Sequence, residues 1–70
     1  MQRLAEVSRK ARLEAARTQL DIATVAGVSH VAISRFERAE GWPDEIEAII
    51  EAYASECGLE ARELWLRALD

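Results

Sequence analysis

Apolar residues recur along this chain at steps of three and four, the spacing of one helix face, and the steps mark out five helices. Leu4, Val7, Ala11 and Ala15 form a thin stripe over residues 2 to about 16, with Arg3, Glu6, Arg9, Lys10 and Glu14 mostly outside it. Leu20, Ile22, Ala23 and Ala26 give a second, short helix an inward face, and Ile33 with Phe36 does the same for a third from Ser29 to about Arg38. Ile46, Ile49, Ile50, Tyr53 and Cys57 make the main apolar stripe, on a fourth helix. A fifth, from about Glu60 to Leu69, carries Ala61, Leu64, Trp65, Ala68 and Leu69 on one side, with Leu66 off that stripe.

The punctuation agrees with this division. Thr18 is a hydroxyl cap for the second helix, and Asp21, three positions on, suits its positive end. Gly27 stops that helix by taking a left-handed conformation that costs other residues about 1–2 kcal/mol. Val28 plugs the corner and Ser29 caps the third helix. Ala39 to Pro43 form a linker; Pro43 suits a first helical position, Asp44 and Glu45 complement the helix it opens, and Gly58 closes that helix. Cys57 reads as a small buried hydrophobe of the main stripe.

On the third helix, His30, Val31, Ser34, Arg35 and Arg38 fall on the face opposite Ile33 and Phe36 and have no core duty. Ile22, Ala23, Gly27, Val28, Ile33 and Phe36, with Gln19 opening the second helix and a Ser-x-x-x-Ile-Ser-Arg-x-Glu run in the third, resemble the helix-turn-helix DNA-binding domains of lambdoid phage Cro and repressor proteins, the XRE family. The resemblance implies an all-α, compact five-helix lambda-repressor-like domain over residues 1–70, with the helix-turn-helix at Gln19–Arg38. It also implies a structural ion pair between Arg12 and Glu37, and a Gln19 that bonds phosphate while steadying His30. Two departures stand out. Ala16 and Arg17 replace the family's small-then-apolar pair, and the loop after the third helix is short and carries Glu40.

If the third helix enters a major groove, the chemistry of its outer face assigns roles. Arg35 can grip guanine O6 and N7 with two bonds, His30 and Ser34 can donate or accept, and Val31 can pack on a thymine methyl. Gln19, Ser29, Arg38 and Arg17 are the candidates for phosphate. Trp42 is expected over the core, the alternative being a stack on the sugar–phosphate backbone.

Charge sharpens the picture. The net charge of −4 argues against a polyanionic partner until the chain is divided. Residues 1–38 hold seven Arg or Lys against four Asp or Glu (+3), and residues 39–70 hold two against nine (−7). A basic half then faces phosphates and an acidic half faces away.

Seventy residues support one small core, to which dimerisation would add burial. The fifth helix has more apolar surface than one face needs, and Trp65, Leu66 and Leu69 are its candidates for a homodimer interface. One cysteine and one histidine leave no disulfide, metal site or catalytic constellation, and no cofactor is expected. No apolar run suits a membrane span and residues 1–17 are charged throughout, so the expected setting is cytoplasmic. The expected function is a sequence-specific transcriptional regulator of a phage or mobile element that binds a double-stranded DNA operator and blocks polymerase. The competing expectation is a protein-interaction module, antitoxin-like or adaptor, that uses the acidic C-terminal half.

Overall fold

The second and third helices start, and the first four stop, where free backbone groups find partners. The computed structural model describes residues 1–70 and contains α1 (Gln2–Glu14), α2 (Gln19–Ala26), α3 (His30–Glu37), α4 (Ile46–Cys57) and α5 (Ala61–Arg67), with no strand.

At the start of α2, Thr18 Oγ1 accepts the Asp21 N–H at 3.0 Å and Asp21 Oδ2 accepts the Thr18 N–H at 2.9 Å. The backbone bond from Thr18, more than any charge, holds the Asp21 carboxyl below its usual range. Ser29 Oγ accepts the Ala32 N–H at 3.1 Å and so opens α3. Between the two helices Gly27 sits at φ 72°, and a Cβ there would meet nothing within 4 Å. The turn therefore needs glycine for its conformation, not for space.

Two helix ends use alanine for the same purpose. Ala16 and Ala39 both sit at φ 57°. After α1, the Ala16 N–H bonds to the Leu13 carbonyl and the Arg17 N–H to the Arg12 carbonyl, each at 3.1 Å. After α3, the Ala39 N–H bonds to Phe36 and the Glu40 N–H to Arg35, each at 3.0 Å. Both pairs are Schellman closures, which normally place glycine at the left-handed residue.

The core is built around α4, whose Ile49, Ile50 and Tyr53 are fully buried. Leu4, Val7 and Ala11 of α1, Ile22 and Ala23 of α2, Ile33 and Phe36 of α3, and Leu64 of α5 close around them. The Phe36 and Tyr53 rings meet at 5.6 Å between centroids, tilted by 51°, which ties α3 directly to α4. Ser8 is also fully buried, and its hydroxyl has no hydrogen-bond partner.

The sequence expectations differ from the structure at several places, among them Cys57, which is half-buried at the edge of the core and not within it. Helix α1 ends at Glu14, two residues early, because the chain turns left-handed at Ala16. Leu20 is 60% exposed: it lies about 200° around the helix from buried Ile22, so both cannot face inward. Pro43 does not open α4; Gly41 at φ 98° and a turn at Asp44–Glu45 come first, and Ile46 is the first helical residue. Trp42 does not join the core but is 57% exposed and stacks on Trp65, centroids 6.3 Å apart and planes 13° from parallel. Leu69 lies beyond the end of α5 and is 82% exposed. No helix is long and apolar enough to cross a membrane.

Candidate nucleic-acid interface

The outer face of α3 is held from beneath by a polar cluster centred on Glu37, the last residue of that helix. Arg12, near the end of α1, donates to the carboxylate with two nitrogens, Nε to Oε2 at 2.7 Å and Nη2 to Oε1 at 2.9 Å. Its remaining Nη1 donates to the Arg17 carbonyl at 3.0 Å, on the strained turn that follows α1. The Tyr53 hydroxyl donates to Glu37 Oε2 at 2.5 Å and Gln19 Nε2 donates to Oε1 at 3.0 Å. A second cation, Arg9, lies 3.9 Å away at the exposed edge. Four elements thus converge on a carboxylate whose side chain is only 2% exposed.

Electrostatics follow from this geometry. Burial by itself pushes the Glu37 carboxyl up, but the hydrogen bonds from Arg12, Tyr53 and Gln19 together outweigh it, and the group stays below its usual range. The bond to Glu37 raises Arg12, and burial, reinforced by Glu37, pushes the Tyr53 hydroxyl up. Tyr53 is therefore a permanent donor and Glu37 a permanent acceptor near neutral pH. A charged pair so fully bonded fixes geometry, because removing either partner strands the other in a poorly solvated site.

From the hub the bonding continues outward. Gln19 Oε1 meets His30 Nε2 at 2.9 Å, so the first residue of α2 is tied to the first residue of α3. On the face above, His30, Val31 and Arg35 are exposed and Ser34 is half-buried. The Arg35 side chain makes no hydrogen bond or ion pair within the chain. Arg38 is occupied: its Nε donates to Glu40 Oε2 at 2.5 Å and its Nη1 to Ser34 Oγ. Ser29 spends its hydroxyl on the helix cap. Arg17 Nε donates to the Glu56 carbonyl at the end of α4, 3.3 Å away, and lies 3.9 Å from the Glu56 carboxylate.

Trp65 and Leu66 are exposed on α5, and Leu69 follows them. Trp42, from the loop after α3, extends this surface, and the same loop borders Arg35 in a shallow cleft. Arg62 pairs with Glu60 at 2.8 Å and Arg67 lies 3.9 Å from Glu63, so both signs of charge flank the patch.

Sequence reasoning missed the Gln19 and Tyr53 bonds to Glu37 and the exposure of Trp42. A signal for one existed. A buried tyrosine needs a partner for its hydroxyl, and Tyr53 sat unaccompanied in an apolar stripe.

Comparison with known proteins adds one match: a family model described as helix-turn-helix covers residues 9–64. No curated protein and no solved structure matches the chain.

Proposed function

Because the chain belongs to the helix-turn-helix family of the Cro and repressor (XRE) type, it is a DNA-binding regulator, and we propose that it reads a specific operator with the outer face of α3 in the major groove. One observation carries the reading: Arg35 stands uncommitted on that face while the carboxylate below it is fully occupied within the fold. An unpartnered guanidinium is poised for the O6 and N7 edge of guanine. Val31 offers a methyl surface to thymine, and His30 and Ser34 complete the reading set.

Gln19, with one amide hydrogen free after its bond to Glu37, and the N-terminal end of α3 at Ser29 are the phosphate contacts the geometry favours. Arg38 and Arg17 reach a phosphate only by exchanging Glu40 and Glu56 for it. In this reading the protein acts as a repressor of a phage or mobile element, and it occupies its site as a homodimer. Trp65, Leu66 and Leu69, joined by Trp42, supply the apolar centre of the dimer face. The mixed charges of Glu60, Arg62, Glu63 and Arg67 suit a two-fold contact in which unlike charges oppose.

Selection from a random duplex pool near physiological salt tests this. The expected product is an inverted repeat with half-sites about 10–10.5 base pairs apart. A single asymmetric site would remove the dimer and keep the operator. No enrichment would overturn the operator reading and favour the acidic half, with its exposed tryptophans, as a surface for another protein.

A further inference from the structure

The direction of each hydrogen bond between Glu37 and His30 is fixed, and the last of them determines what His30 can offer to DNA. A carboxylate only accepts, so the Gln19 atom 3.0 Å from Glu37 Oε1 is the amide nitrogen. The amide oxygen is thereby turned to His30, 2.9 Å from Nε2. An amide oxygen also only accepts, so His30 Nε2 carries the proton. Turning the Gln19 amide over would set its oxygen against the carboxylate and its NH2 against the ring. That arrangement loses a charge-assisted bond and places two acceptors face to face. Arg12 and Tyr53 make the alternative worse, because they hold the carboxylate in place from the other side.

A neutral imidazole has one proton. With that proton on Nε2, the remaining nitrogen, Nδ1, is a bare acceptor, and it has no partner within the chain. Building on the operator reading, we infer that His30 recognises an exocyclic amine in the major groove, adenine N6 or cytosine N4, by accepting a hydrogen bond at Nδ1. Guanine O6 and N7, which are acceptors, are left to Arg35. The face of α3 is then divided chemically: an acceptor at its first residue and a five-hydrogen donor at its sixth. Gln19 acts as a positioning residue that sets the tautomer without touching the base.

The test deletes single atoms from the DNA. The base pair under His30 is the one whose preference flattens in His30→Ala, a change at an exposed position that leaves the fold intact. At that pair, the exocyclic amine is removed by placing purine for adenine or 2-pyrimidinone for cytosine. In a parallel duplex the purine N7 is replaced by C–H. Loss of the amine is expected to weaken the native protein about three- to tenfold, the worth of one hydrogen bond, and to leave His30→Ala unaffected. Loss of N7 is expected to affect neither.

The reverse pattern, sensitivity to N7 and indifference to the amine, would show His30 donating and would overturn the inference. So would nitrogen-15 correlation spectra of the free protein showing the proton on Nδ1. Gln19→Ala frees the ring to rotate, so the ratio of affinities for the amine-bearing and amine-less duplexes should shrink towards one, whatever uniform loss accompanies it. An enriched operator that His30→Ala reads unchanged would overturn this inference alone. A pool with no enriched site would overturn the operator reading with it.

Discussion

The two halves of the molecule hold themselves together by different means. Residues 1–38 carry the net positive charge and are registered by a directional network, in which α1, α2 and α4 all bond to one carboxylate at the end of α3. Residues 39–70 are strongly acidic and supply six of the thirteen residues of the apolar core, five of them on α4, ending in a surface where tryptophan stacks on tryptophan. Directional bonds fix angles and apolar contact does not. The first kind of construction suits a helix that must place side chains against base edges. The second suits a face that meets another protein surface with tolerance in its approach.

Breaking the hub is the most severe test of this contrast. Glu37→Ala strands the Arg12 guanidinium and leaves the Tyr53 and Gln19 donors unpaired, and it should cost about 3–5 kcal/mol in chemical denaturation, most of what a domain of this size possesses. Arg12→Met, which leaves the buried Glu37 carboxylate without its bidentate cation, should cost a similar amount. If either change costs under about 1 kcal/mol, the hub is ornamental and the apolar core alone holds the fold.

Acid should act on the same group. Its native carboxyl is held below the ordinary value, so its contribution is present above the unfolded pKa of about 4.3 and is lost as pH falls through the native one. The denaturation midpoint should fall as pH drops below about 5, and Glu37→Gln should give a shallower profile.

The reading face should respond in the opposite sense. Arg35→Ala removes no internal bond, so stability should stay within about 0.5 kcal/mol while the affinity for a selected operator falls by about 1–3 kcal/mol. A loss of stability instead of affinity would place Arg35 with the scaffold. On the acidic half, Leu69→Glu at an 82%-exposed position should leave the monomer's stability unchanged and weaken self-association by about 1–2 kcal/mol in sedimentation. Unchanged association would remove Leu69 from the dimer face.

The smallest effect concerns the turns. Ala16→Gly and Ala39→Gly relieve left-handed alanines at φ 57°, and each should stabilise by up to about 1 kcal/mol. Because Ala16 precedes the Arg17 carbonyl that accepts from Arg12, the gain at Ala16 tests whether that turn is strained on behalf of the hub.

Where the sequence was legible, short-range chemistry decided the outcome. Thr18 with Asp21, Gly27 and Ser29 each act on backbone within a few residues, so their spacing alone marks the turn and both of its helices. The buried positions Ile22, Ala23, Ile33 and Phe36 follow from the helical period for the same reason. What was hidden depends on residues far apart in the chain. Nothing near Ala16 announces a left-handed residue, since the turn is set by a bond from Arg12 and by Arg17 reaching α4. Trp42 reads as core from its composition, and only the position of α5 puts it outside against Trp65. The candidate site was legible in its outer face and illegible in its support, because Tyr53 reaches Glu37 across sixteen residues.

The stack of Trp42 on Trp65 also has an optical consequence. These are the chain's two tryptophans, and its single tyrosine, Tyr53, lies in the hub. The indole emission of the protein therefore arises wholly from the acidic half, from rings close enough to couple electronically, while the phenol reports the other end of the core. Excitation at the red edge of the indole band, where a phenol does not absorb, therefore follows the Trp42–Trp65 stack alone, with no label attached.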